Sequence, residues 1–169
     1  MLTRRSYSAI HRATASSTDL QHCVDLVKKS DYDYYLMGLL MPKEARAGFF
    51  AVRAFNLETA SIVDAVRGNV VPGKMRVQWW KEIVHDIYTK GTVPQGYPVV
   101  QLLSAAVQRH GLSRCWLDRS LDARMLDLEV PQPATIGELE KYCSHTHGSL
   151  ALLTLECLAP LPPQRQEKG

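Results

Sequence analysis

Apolar residues recur at helical spacing along almost the whole chain, and no stretch alternates apolar and polar residues as a half-buried strand would. This one feature confines the chain to all-α architectures. From Asp19 to Lys29, Leu20, Cys23, Leu26 and Val27 share a helix face. Asp31 is placed to cap a short helix, Tyr32 to Leu40. Pro42 suits the first turn of a long helix reaching about Val66, with Glu44 near its positive end. Ala45, Phe49, Val52, Thr59 and Val63 should face its core, and Arg67, Gly68 and Asn69 should end it. A turn is expected at Pro72 and Gly73, then a helix from Lys74 to Tyr88 carrying Met75, Gln78, Trp79, Ile83 and Ile87. Val99 to His110 should stop at Gly111. Ser113 is the expected N-cap of a helix to about Leu128, and Pro131 and Pro133 break the chain. Thr135 and Glu138 form a capping box before an apolar run to about Leu158. Pro160 to Gly169 has lost the periodicity and is expected to be disordered.

Charge divides the chain unevenly. The net charge is +3, from 20 basic and 17 acidic residues among 169. Residues 1–18 hold Arg4, Arg5 and Arg12 and no acid, so the remainder balances. This segment is also rich in Ser and Thr. Drawn as a helix, it sets Leu2, Ala9, Ile10 and Ala13 opposite Arg4, Arg5, His11 and Arg12. That is the pattern of a mitochondrial presequence, and it suits anionic inner-membrane lipid. A secretory signal would need an apolar run that is missing here. The division expected is therefore 1–18 presequence, 19–159 helical region and 160–169 Pro-rich tail. The small excess gives no reason to expect nucleic acid as a partner, and no stretch is apolar enough for a membrane span.

Motifs for chemistry are sparse. Glycine-rich phosphate loops and a nucleophile elbow are absent from the sequence. Cys143 and His147 lie four apart and could share a helix face, but two ligands do not make a zinc site. The expectation is a core-facing Cys143 beside a surface His147, with no metal. Cys23, Cys115, Cys143 and Cys157 are spread too widely for a disulfide scaffold, and buried free thiols are expected. Trp79 and Trp80, with Tyr32, Tyr34 and Tyr35, fit packing better than base or lipid stacking. No cofactor is called for.

A family resemblance rests on an ordered set of strings over about residues 22 to 159. A leading helix precedes Arg46. Ala51-Val52-Arg53-Ala54-Phe55 follows, then Trp79-Trp80, Tyr97-Pro98-Val99, the helix Asp122 to Asp127, and Tyr142-Cys143-Ser144-His145-Thr146-His147-Gly148. In this order they resemble the squalene/phytoene synthase superfamily, which implies part of an isoprenoid-synthase-like helical bundle. Arg53-Ala54-Phe55-Asn56, Met75 to Lys81 and Leu153-Thr154-Leu155-Glu156 are similar to a mitochondrial branch that serves respiratory complex I assembly. That branch implies complex I subunits or other assembly factors as partners, on the matrix side of the inner membrane, with peripheral membrane association.

The same resemblance sets what chemistry to expect. Active members bind Mg²⁺ through carboxylates at i, i+1 and i+4 of one helix, and the ions assist departure of diphosphate. The corresponding positions here are Ala60, Ser61 and Asp64, so two of three carboxylates are replaced. The family's second aspartate helix lies further along than this chain reaches, and its bundle needs roughly twice this length to close. A pseudoenzyme is therefore expected, with Arg46 and Arg53 as vestigial polar residues of the former cavity. A half-bundle should leave Leu150, Leu152, Leu153 and Leu155 uncovered. The alternative held open is isoprenoid or prenyl-diphosphate binding, or transferase activity of the family's type.

Overall fold

The structure, a computed structural model, describes residues 15–66, 69–130 and 132–159. The expectations for 1–14 of the basic segment, for Arg67, Gly68 and Pro131, and for the tail after Ala159 lie outside these residues. Among the described residues the architecture is wholly helical. The order is α1 (Ser17–Ser30), α2 (Tyr32–Leu40), α3 (Lys43–Ala65), α4 (Val71–Thr89), α5 (Pro98–His110), α6 (Arg114–Asp127), α7 (Ile136–Cys143) and α8 (Ser149–Leu158). A π-turn, Ser144–Gly148, joins α7 to α8 without a break.

The long helix α3 is the axis of the molecule. It packs on α1, α5 and α8, while α4 lies along α6. Ala45, Phe49 and Phe50, Val52 and Phe55 are buried on successive turns. Each large side chain withdrawn from water here contributes roughly 1.5–3 kcal/mol. Phe55 meets Trp80 edge-on at 5.2 Å, which fixes α4 against α3. Gly48 allows α3 and α8 to approach closely, since a Cβ there would lie 2.8 Å from Cys157 Sγ. Gly111 ends α5 at φ 66°, the left-handed conformation that glycine adopts freely.

Local signals set several boundaries, and tertiary contacts shifted others. The capping box at Thr135 and Glu138 forms as expected. A second box, Ser16 with Asp19, starts α1 at Ser17, two residues before the expected start. Pro72 and Gly73 do not form a turn. They lie in the first turn of α4, where a missing N–H costs nothing, and Gly73 is buried against Val66 and Leu128. The buried stripe of α4 is Gly73, Val77, Trp80, Val84 and Ile87, with Ile83 beside it, so Met75 and Gln78 face outward. Asp31 and Ser113 occupy N-cap positions but make no side-chain cap bond. Val63 is half-buried.

The cysteines divide evenly: Cys23 and Cys157 are buried, while Cys115 and Cys143 are exposed. The expected core-facing Cys143 is thus corrected. Thr146 takes the inward position in that turn. Of the four leucines expected to be uncovered, Leu150 and Leu153 are buried. α3 and α6 already cover that side of α8, leaving only Leu152 and Leu155 exposed.

Candidate functional site

The residues singled out by sequence lie on α3, and the structure gives its two halves different surroundings. Arg46, in the first turns, is exposed. Its Nη2 donates to the carbonyls of Leu39 and Met41, both at 3.1 Å. It thereby satisfies two of the acceptors that the end of α2 leaves open. Arg53 is 5% exposed, pairs with Asp31 and stacks over the Tyr34 ring at 3.4 Å. Both arginines are therefore engaged with the α2 region. Asp31 is the capping candidate from the sequence, taken up by Arg53 instead.

Ala60, Ser61 and Asp64 fall in the last turns of α3. Ala60 is half-buried, while Ser61 and Asp64 are exposed. Ser61 Oγ turns back to donate to the Glu58 carbonyl at 2.9 Å. Of these three positions only Asp64 carries a carboxylate. Among the described residues no three His, Cys, Asp or Glu side chains converge as metal ligands.

Ser61 lines an open cleft of about 370 Å³, together with Glu58, Ile62, Arg76, Trp79, Trp80 and Tyr97. Burial raises the Glu58 carboxyl above its ordinary value, with His22 pulling it back. Trp80 belongs to the core at 3% exposed, and Trp79 bridges it to Tyr97 with ring centroids at 5.2 and 5.3 Å. Packing thus explains Trp80. Trp79 and Tyr97 are the wet edge of the same cluster.

A buried polar network was not legible in the sequence. Arg124, 7% exposed on α6, donates to Tyr142 Oη at 2.6 Å and to Asn56 Oδ1 at 3.1 Å. The Tyr142 hydroxyl donates in turn to Asp127 at 2.7 Å. Burial and then the bond to Asp127 push the Tyr142 phenol up to about 12. The only sequence signal is the i, i+3 pair Arg124 and Asp127 on the helix after Ser113. The network ties α3, α6 and α7 together, and a phenol held this firmly as O–H is not a base near neutral pH. Burial likewise pushes the thiols of Cys23 and Cys157 up to about 12, so neither is poised as a nucleophile.

The chain is 44% identical over 154 residues to NADH dehydrogenase (ubiquinone) complex I, assembly factor 6, of Bos taurus, and 42% identical over 154 residues to that of Homo sapiens. Each match covers 91% of this chain and 45% of the relative. The homolog of Drosophila melanogaster is 35% identical over 141 residues, covering 80% of this chain and 41% of that protein. The chain thus spans less than half the length of the curated relatives it matches. A dehydrosqualene synthase solved in complex with a ligand superposes with a TM-score of 0.71 at 26% identity, over 83% of this chain and 47% of that one. The family model described as squalene/phytoene synthase matches residues 27–167, most of the helical body described above. The chain belongs to the squalene/phytoene synthase family.

Proposed function

We propose that this chain serves the assembly of mitochondrial respiratory complex I without catalysing a reaction. In this reading it acts on the matrix side of the inner membrane, peripheral to it, through helix-face contacts with complex I subunits or other assembly factors. The basic, acid-free residues 1–18 direct import, and 19–159 form the interacting body. The names of the relatives support the pathway. What supports the absence of catalysis is the end of α3, where the resemblance aligns Ala60, Ser61 and Asp64 with the family's metal-binding carboxylates, and where Ser61 and Asp64 are exposed. A single exposed carboxylate does not assemble a Mg²⁺ cluster against a diphosphate, because each hard cation needs several oxygen ligands.

Two measurements decide the matter. Expression in cells lacking the endogenous assembly factor should restore complex I. Purified protein given prenyl diphosphates and Mg²⁺ should release no diphosphate. Turnover that disappears with Asp64→Ala would establish the family's transferase activity and overturn the pseudoenzyme reading. A reporter fused to residues 1–18 that stays in the cytosol would overturn the import step alone.

A further inference from the structure

Helix α2 is largely apolar on both sides, with Asp33 the one charge on its exposed side, and only the other side is covered. Tyr34, Tyr35 and Gly38 face inward, with the Tyr35 ring 6.4 Å from Phe50 and Gly38 pressed against that same ring. The opposite side carries Tyr32, Leu36, Met37, Leu39 and Leu40, exposed by 56, 44, 46, 46 and 87%. A helix that is hydrophobic all round normally lies within an apolar phase. Here half of it stands in water, at the corner where α2 joins α1 to α3.

The surroundings of this corner identify the missing phase. Lys28 and Lys29 end α1, and Lys43 and Arg46 lie in the first turn of α3, all exposed. Against them stand the exposed Asp33 and Glu44, while Asp31 is consumed by Arg53. The rim of the apolar corner is therefore net positive. Arg46 also covers the carbonyls of Leu39 and Met41, and the Met41 N–H donates to Gly38 at 3.3 Å. These two carbonyls and one N–H at the end of α2 are thus satisfied internally, as entry into hydrocarbon favours. The lysine stems are long enough to lie along the apolar surface with their ammonium groups at the headgroups.

We infer that α2 is the membrane-docking element of this protein: Leu36, Leu39 and Leu40 enter the outer hydrocarbon of an anionic bilayer while Lys28, Lys29 and Lys43 engage its phosphates. The inference rests on the peripheral-membrane part of the proposed function and gives it a surface. Residues 1–18 offer a second basic segment, so the test must report on α2 itself.

The full chain is sedimented with vesicles of phosphatidylcholine alone or of phosphatidylcholine with cardiolipin. Binding is expected to the second and to weaken with salt. Leu36→Glu with Leu40→Glu should lower partitioning roughly tenfold or more, the loss expected when two leucines no longer reach hydrocarbon. Lys29→Gln with Lys43→Gln should lower it by roughly fivefold per charge. Both variants change exposed residues only, so their thermal unfolding should match that of the parent. Leu40→Trp supplies the local readout. Its emission, in excess of the parent's three tryptophans, should shift blue and be quenched by brominated acyl chains.

The inference falls if the parent chain ignores anionic vesicles, if the double glutamate variant binds as the parent does, or if the added tryptophan is not quenched. It also falls if that variant instead splits a dimer in solution, which would assign the face to a second copy. A chain that ignores vesicles yet restores complex I would overturn the docking surface and leave the assembly role standing. Failure to restore complex I with intact vesicle binding would do the reverse.

Discussion

The two halves of α3 obey different rules within one unbroken helix. From Ala45 to Phe55 the helix is buried on nearly every side, including glycine, alanine and one arginine. From Asn56 to Ala65 only Thr59 and Ile62 are buried. The first half is the scaffold against which α1, α5 and α8 are set. The second half carries Ala60, Ser61 and Asp64, which the family resemblance places at metal-binding positions, and it bears little packing. A family member can therefore change the second half without losing the fold, because the contacts that stabilise the bundle are made elsewhere on the same helix.

The largest effect should come from the scaffold half. Phe55→Ala removes a fully buried ring and its edge contact with Trp80. The expected loss is ~3–5 kcal/mol of unfolding free energy, measured by urea denaturation. A loss under ~1 kcal/mol would mean that α3 and α4 are not held as described, and the contrast between the halves would collapse.

Arg53 sharpens the comparison from within the scaffold half. Asp31→Ala leaves a buried guanidinium without its counter-charge and should cost ~2–3 kcal/mol, somewhat less than a fully buried pair because Asp31 is 20% exposed. Arg53→Met added to Asp31→Ala should recover part of that loss, since the stranded charge is then gone. Strictly additive losses in the double-mutant cycle would show that the pair is uncoupled.

The same contrast governs what the sequence could reveal. The six helices before Thr135, the core positions Ala45, Phe49, Val52 and Thr59, and the Thr135 capping box are legible because each is fixed by neighbours three or four residues away, whereas the single run expected to Leu158 is two helices joined by a π-turn. Pro72 and Gly73 were misread because their local chemistry fits a turn and a first helical turn equally well; packing against Leu128 decided for the helix. Asp31 was read as a cap because its partner Arg53 is 22 residues distant. Cys143 was read as core because an unbroken α-helix was assumed; the π-turn at Ser144–Gly148 shifts the register there. At the candidate site, Ala60, Ser61 and Asp64 rest on the family's spacing alone. The Asn56–Arg124–Tyr142–Asp127 network was not legible, because its members come from three helices.

In the second half of α3, restoring carboxylates tests tolerance directly. Ala60→Asp with Ser61→Asp changes one half-buried and one exposed position, and it should alter stability by no more than ~1 kcal/mol. With Asp64 it would present three carboxylates on one stretch, so Mn²⁺ affinity by calorimetry should rise above that of the parent. Unfolding of the bundle by these two changes would show that this half is scaffold after all.

The smallest effect belongs to Glu58, the half-buried carboxylate beside the cleft. Burial raises its folded-state value above the ordinary 4.5. The folded protein therefore holds this proton more tightly than the unfolded chain does. As pH rises through 4.5 the unfolded carboxyl ionises first, and stability falls until the folded carboxyl has ionised as well. Below that window the group contributes nothing to the difference, and above it the penalty is complete. Glu58→Gln should thus stabilise the protein slightly at neutral pH and leave it unchanged in acid, read as the shift in urea midpoint between the two conditions. A shift of equal size at both pH values would trace the effect to packing rather than to charge. The carboxylate would then be a well-solvated surface group, and the second half of α3 would hold no strained position.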